Sequence, residues 1–345
     1  MELFALTEDF ELVTADIPYF NLQWQRRYYQ PGQFSMQISA DVFDKSWRYI
    51  CTHDRPEVGV VQKVQYENKR GKKLVQVSGF FAEQRLNGLV VFPRFTKDLS
   101  KTESVIKALV ESVPLLSQKG IAFAYDPDKL LGDRTQCDFI GEPLGNKCYS
   151  ILETRELSYK VFTDYNFRKL YMEVWQGLDR TQSQSKNAWA VFATTWGNIE
   201  NERVNLDDSA YANVCRVSAA DETLQFDVDL SNGGERYEIF LDKNSEAKPD
   251  DMTLEEFRAA LEQEALEKLA DAVKVIDIDV DNFGAVGYRH DFDLGDKVTV
   301  NLEDIGLSLE TRIVEVNEVF KDTGHTVQLG FGTKRISNIR RATKK

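Results

Sequence analysis

Short runs in which apolar and polar residues alternate, punctuated by Pro, Gly and Asn, fill the first hundred residues of the chain. That period is the one a half-buried strand needs, because successive side chains point to opposite faces. Strands are predicted at 2–7 and 10–15 around the turn Glu8-Asp9, and at 22–29 and 34–39 around Gln30-Pro31-Gly32. In the last of these Phe34, Met36 and Ile38 share a face. Further strands are predicted at 59–66 and 73–81, with 89–92 closing the set. The clearest β signal lies near the other end. A strand at 297–302 places Val298, Val300 and Leu302 inward, Ile305-Gly306 breaks it, and 307–320 runs back. Apolar residues in that second strand change face at Ile313 and Val314, which predicts a bulge or a strand covered on both sides. Asp322-Thr323-Gly324 then turns the chain into a strand at 326–331.

Between these β-rich ends the period changes. Ser100-Lys101-Thr102-Glu103 reads as a capping box ahead of Val105, Ile106, Leu109, Val110 and Val113 at helical spacing, and Pro114 stops the helix. A second helix is predicted at 147–157, followed by strands at 159–163 and 170–176. Aromatic-rich strands are predicted at 189–196 and 211–219, and a hairpin joins 224–230 to 237–241 across Ser231-Asn232-Gly233-Gly234. Thr253-Leu254-Glu255-Glu256 is a second capping box, opening a helix at 252–273 with Leu254, Phe257, Leu261, Ala265, Leu269 and Val273 on one stripe. It leads into a strand at 275–280. The fold class expected is mainly β with an α/β insertion. Residues 1–99 would form a barrel-like β domain, 100–190 a small α/β domain, and 191–345 a β-rich domain with one long helix; the barrels can be discontinuous in sequence.

Length supports that division, since 345 residues are too many for one ordinary core and imply roughly two to three domains. An apolar fraction of 42% belongs to a folded chain. No apolar run approaches the roughly 18 residues that span a bilayer, and Met1-Glu2-Leu3-Phe4 lacks the basic start of a signal peptide, so a soluble protein without membrane contact is expected. Net charge is -13, unevenly spread: residues 1–125 carry 16 Lys and Arg against 14 Asp and Glu, and the remainder 27 against 42. Phosphate binding wants a basic stripe, so specific nucleic-acid binding is not expected.

Candidate chemistry is sparse. Asp277, Asp279 and Asp281 alternate with Ile276, Ile278 and Val280, which on a strand lines up three carboxylates roughly 7 Å apart, a spacing open to calcium. A solvated strand face explains them without ligands from elsewhere. The segment 291–296 begins like a calcium-binding helix–loop–helix but has Gly295 where a ligand belongs and Asp296 where the glycine belongs, so it reads as a turn. Cys51, Cys137, Cys148 and Cys215 show no metal or disulfide spacing and read as reduced, structural thiols. His53, His290 and His325 form no close pair, so a Cys–His nucleophile built on Cys51 or Cys215 is not favoured over a buried thiol and a surface imidazole. Trp24 to Tyr29 mix aromatics with Arg26 and Arg27, which fits base stacking but fits an aromatic strand face with arginine ion pairs better. No catalytic, cofactor or metal residues are assigned.

Three motifs in order carry a family resemblance. W-Q-R-R-Y-Y-Q-P-G-Q-F from Trp24 to Phe34, G-L-D-R-T from Gly177 to Thr181, and L-G-D-K-V-T-V with the later R-I-V-E-V and L-G resemble tail hub proteins of long-tailed phages, the siphophage hub and tail-associated lysin N-terminal family of ReqiPepy type, similar to the gp27-like baseplate hub. At Leu86-Asn87-Gly88-Leu89 the chain departs from that family's basic residue before the last strand. The resemblance implies two barrel-like tube domains assembled as a ring, a virion protein made in the bacterial host cytoplasm that links the distal tail tube to the tip. It implies no enzymatic activity and no cofactor. Its partners would be itself as a homotrimer, a distal tail protein, a tape-measure protein and tip or lysin proteins, with DNA passing through the ring. A second reading is a tail-associated peptidoglycan hydrolase, whose carboxylate pair would be hidden among 56 acidic residues.

Overall fold

The computed structural model describes residues 1–113, 120–123, 129–164, 168–250, 252–272, 275–282, 286–321 and 324–332. In chain order the elements are β1 (Leu3–Leu6), β2 (Leu12–Thr14), β3 (Asn21–Arg27), β4 (Gln33–Ser39), β5 (Tyr49–Thr52), β6 (Gly59–Val60), β7 (Lys63–Lys69) and β8 (Lys72–Phe80). A 3-10 turn, Ala82–Gly88, leads to β9 (Phe95–Lys101), α1 (Thr102–Ser112), β10 (Ile121–Phe123), β11 (Arg134–Phe139), α2 (Leu144–Glu153), β12 (Ser158–Asp164) and β13 (Lys169–Trp175). Then come β14 (Val191–Ala193), β15 (Ile199–Asp207), β16 (Val214–Ala219), β17 (Leu224–Asp229), β18 (Glu238–Lys243), α3 (Leu254–Asp271), β19 (Val275–Asn282), β20 (Lys297–Leu302), β21 (Leu307–Lys321) and β22 (Gly324–Gly332). The molecule is mostly β, 46% strand against 17% helix, with the α/β unit between the β-rich ends.

One ten-stranded sheet joins the two ends of the chain. Its path is β15-β19-β22-β21-β3-β4-β8-β7, and β20 branches from β21 to carry β14. The branch point is the 15-residue strand β21. From Leu307 to Arg312 it pairs with β20, and from Glu315 to Lys321 with β3, while β22 lines it from Ile313 onward. The register shifts between Ile313 and Glu315, so Val314 is the extra residue, and Arg312, Ile313 and Val314 are buried in succession. The change of face legible at Ile313 and Val314 is this bulge.

Three smaller sheets pack around it. β2-β1-β5-β6 lies between two cores, since Leu3 and Ala5 face the Trp24, Phe34 and Phe81 cluster while Phe4 and Leu6 face the cluster of α1 and α2. A strand covered on both sides loses the clean alternation, and all four residues of β1 are buried. β10-β13-β12 and β11-β9 form the α/β unit with α1 and α2. β17-β16-β18 packs on α3, whose Thr253 capping box is present as predicted.

Several local expectations are corrected. Ser100 does not cap a helix: it sits in β9 opposite Thr135, and Lys101 is the N-cap with no side-chain bond. Thr102 and Glu103 are spent on the neighbouring loop, Thr102 Oγ1 donating to the Asp133 carbonyl at 2.8 Å and Glu103 Oε2 accepting from Leu131 N–H at 3.0 Å. Residues 224–230 and 237–241 do not form a hairpin, because β16 lies between β17 and β18 and β18 runs parallel to it. The predicted strand 59–66 splits into β6 and β7, which join different sheets. Residues 89–92 bond to the segment before α2 instead of a sheet edge, Val91 N–H to the Glu142 carbonyl and Leu144 N–H to that of Leu89. Leu254, placed on the inner stripe of α3, is exposed, and Val273 and the turn at Asp322-Thr323 lie outside the described residues.

The bulge makes a sharp prediction. Val314→Ala is expected to cost about 1–3 kcal/mol as a truncated buried side chain, whereas deleting Val314 takes out the extra residue, leaves Ile313 opposite Phe331 and Glu315 opposite Gly330, and loses the carbonyl that takes the Tyr28 N–H. Urea unfolding should show a cooperative transition for both variants, with the deletion the less stable of the two.

Candidate functional site

The three sequence motifs meet at the bulge of β21. Arg312 is nearly fully buried there, stacked over the Tyr28 ring at 5.1 Å. One guanidinium nitrogen donates to the Gly295 carbonyl and the other to Glu156 Oε2 at 3.1 Å. Tyr28 caps β3, donates its hydroxyl to the Glu156 carbonyl at 3.0 Å, accepts from Gly177 N–H at 3.4 Å, and takes the Ser158 hydroxyl on its own carbonyl. Lys297 Nζ closes the set at 2.5 Å from Glu156. Burial alone would raise the Glu156 carboxyl, but Lys297 and Arg312 outweigh it and hold the pKa below the usual range. Burial pushes the Tyr28 phenol up to about 12, so it stays a neutral donor.

Asp296 organises the other side. Its carboxylate accepts from Leu178 N–H at 2.7 Å, Arg180 Nε at 2.8 Å and Asp293 N–H at 3.0 Å. Burial still leaves its pKa raised. Asp179 folds its own loop by accepting from Thr181 N–H at 3.0 Å and Thr181 Oγ1 at 2.7 Å. A Cβ on Gly177 would lie 2.0 Å from the Gly295 carbonyl oxygen, and one on Gly295, whose φ is +85°, would lie 2.5 Å from the Tyr28 ring. Two glycines are therefore required for the backbones to touch. The junction is a clamp between the ends of the chain and the α/β unit, built of neutralised charges and backbone bonds.

Beside it lies a cavity of about 370 Å³ lined by Arg26, Glu57, Glu83, Trp175, Arg289 and Asp293 among others. Arg26 donates to the Tyr288 hydroxyl at 2.7 Å and to Asp293 at 2.5 Å, and pairs with Glu57. Burial would lower its pKa, yet Glu57, Tyr288 and Asp293 raise it well above the ordinary value. Glu83 takes one bond from Val161 N–H at 3.0 Å, and burial pushes its pKa up to about 7. Below β3, Glu318 is fully buried and held by Arg55 and by His325 Nε2 at 3.2 Å.

The residues singled out in the sequence are dispersed. Trp24 is fully buried against Phe81 with ring centroids 4.7 Å apart, and Arg26 and Arg27 are ion-paired, so this strand's side chains face inward instead of toward bases. Asp277, Asp279 and Asp281 lie on β19, between β15 and β22, and their side chains are outside the described residues. The 291–296 segment is a turn whose carboxylates bond to neighbouring N–H groups and to Arg26 and Arg180. All four cysteines are buried and free. Burial raises the thiols of Cys137, to about 12, and of Cys148 and Cys215, the opposite of what a thiolate nucleophile needs. His53 stacks on Phe4, His290 is exposed beside Asp291, and His325 stacks on Phe320. Among the described residues no group of three His, Cys, Asp or Glu is placed to hold a metal. Glu156 and Glu83 were not foreseen, and Arg312 was singled out only as the first residue of R-I-V-E-V, because single charged residues carry no role until their partners from distant segments are known.

The model of the Siphovirus ReqiPepy6 Gp37-like protein family matches residues 4–333. No curated protein matches the chain in sequence. In fold it is similar to a tail protein from Neisseria meningitidis MC58, with TM-score 0.60 at 12% identity, covering 96% of each chain. It is similar to the 43 kDa tail protein of prophage MuSo2 from Shewanella oneidensis, with TM-score 0.60 at 13% identity, covering 96% of this chain and 98% of that one. A third is prophage tail protein gp18 from Listeria monocytogenes EGD-e, with TM-score 0.59 at 10% identity, covering 99% and 98%.

Two predictions follow from the geometry. Gly177→Ala forces a methyl into the Gly295 carbonyl and is expected to destabilise by more than about 3 kcal/mol, beyond an ordinary surface change, as read by urea unfolding. Glu83 binds a proton more tightly folded than unfolded, so between its unfolded pKa and about 7 stability falls as pH rises. Glu83→Gln keeps an acceptor for Val161 and removes that loss. Its melting temperature should exceed that of the unsubstituted chain at pH 8 and match it near pH 4, with a gain of up to about 3 kcal/mol.

Proposed function

The chain belongs to the Siphovirus ReqiPepy6 Gp37-like family, and from that premise we propose that it is a tail hub subunit, linking the distal end of the tail tube to the tip of a phage or prophage tail. The observation that carries the reading is the length of the match: the family model covers residues 4–333, and the fold is shared with tail proteins end to end. A structural role also accounts for the clamp. Arg312, Glu156, Tyr28 and Asp296 are committed to each other and to backbone groups, which suits a part that must pass force from tube to tip without deforming.

In this reading three copies form a closed ring, matching a six-fold tube above to a three-fold tip below. The partners are the distal tail protein, the tape-measure protein and tip or lysin proteins. The N-terminal 1–99, α/β 100–190 and C-terminal 191–345 units serve as tube-forming and connecting parts. Part of the acid carried beyond residue 125 faces the bore, since cations there would bind phosphates and release counterions. The protein acts in the virion tail after synthesis in the host cytoplasm, and its work is mechanical instead of catalytic.

Native mass spectrometry or cryo-electron microscopy of intact tail particles tests this directly. Three copies per tip are expected, with an acidic bore; any other copy number overturns the hub assignment.

A further inference from the structure

The main path of the ten-stranded sheet ends on β7 and on β15, β14 being the edge of the side branch, and the two path ends are predominantly opposite in charge. Lys63, Arg70, Lys72 and Lys73 are exposed along the β7–β8 ribbon. Glu200 and Glu202 are exposed on β15, with Asp207 at its end and Asp208 beyond. We propose that β7 of one copy adds to β15 of a second copy in a single antiparallel register over the stretch of β15 that follows its bulge between Glu200 and Arg203, Lys63 opposite Asp207 and Glu67 opposite Arg203.

Direction comes from the sheet path. Each adjacent pair along β15-β19-β22-β21-β3-β4-β8-β7 is antiparallel. Eight strands is an even number, so the two end strands run in opposite directions. A second copy turned about an axis along the strands therefore presents its β15 antiparallel to β7, and the ladder can continue regularly along Arg203 to Asp207, past the β15 bulge. Pairing β7 with β7, or β15 with β15, would instead bring like charges together.

Register comes from the side chains. With Lys63 opposite Asp207, Val64 meets Leu206 and Tyr66 meets Val204 on one face, and Val64, Tyr66 and Leu206 are 42%, 60% and 58% exposed within one copy. Glu67 is the acid within β7 and Arg203 the cation within β15, and in this register the two exceptions face each other. Sliding by two residues in either direction sets Lys63 and Glu67 opposite neutral residues, and sliding by one turns the apolar face over. Edge strands with an unused ladder are ready templates for such addition, and the predominance of one sign on each edge, with its single exception matched across the seam, selects the partner.

The pairing takes its biological setting from the proposed ring but is tested apart from it. In the purified chain carrying both Val64→Cys and Leu206→Cys, mild oxidation is expected to give a ladder of disulfide-linked oligomers on non-reducing gels. The native thiols are all buried and do not compete. Either single variant should stay monomeric, the slipped pair Val64→Cys with Val204→Cys should link several-fold less, and the yield should fall several-fold as salt shortens the screening length from about 10 Å at 0.1 M to about 3 Å at 1 M. Reversing Lys63→Glu alone in the double-cysteine background should cut the linking several-fold, and adding Asp207→Lys should restore it, as should Arg203→Glu for a chain carrying Glu67→Lys. Monomer alone from the double-cysteine chain overturns the proposal, as does equal linking by the single or slipped variants. A three-copy tip without this bond overturns the edge pairing while the hub reading stands; covalent oligomers from a chain with another copy number in particles do the reverse.

Discussion

One strand cannot keep a single set of neighbours here, and the fold is arranged around that constraint. β21 must complete the ladder with β20 at its start and with β3 and β22 at its end. The changeover leaves carbonyls pointing to both sides within two residues, Ile313 taking Gly295 N–H and Val314 taking Tyr28 N–H. A buried bulge is tolerable only where every displaced group finds a partner. Gly295, Asp296 and Tyr28 supply those partners, and Arg312 neutralises what is left.

Charge inside the protein is consequently concentrated and paired. Arg312 with Glu156, Arg180 with Asp296, Arg26 with Glu57 and Asp293, and Arg55 with Glu318 all lie between segments remote in sequence. Buried pairs contribute little net stability against apolar replacements, but losing one partner is costly because the other charge stays desolvated. Such pairs penalise wrong packing of these segments more than they strengthen correct packing. Glu83, whose carboxyl burial pushes up to about 7, makes that interior sensitive to pH.

The surface follows a different logic from the interior. Inside, opposite charges from distant segments meet within one chain; at the ends of the large sheet, cations and carboxylates are separated by the full path from β7 to β15. Separation of this kind costs little for an isolated molecule and becomes attraction only between copies.

The amino-acid order by itself determined the elements whose signal is local. The hairpins of β1 with β2 and β3 with β4, the β20-β21-β22 meander, the Val314 irregularity and the Thr253 capping box all rest on neighbours within a few residues. Tertiary structure decided the rest. β15, with its exposed and charged sequence, is a strand because β19 lies beside it, not because its residues alternate. β18 abandons its hairpin because β16 offers it a parallel edge, and Ser100 abandons its cap because β11 claims it for a ladder. The clamp was present as three separate motifs, each readable only as a turn or a strand end. What joined Tyr28, Gly177 and Asp296 is the packing of segments about 120 to 270 residues apart in the chain, and contacts of that range leave no periodic trace for a local pattern to carry.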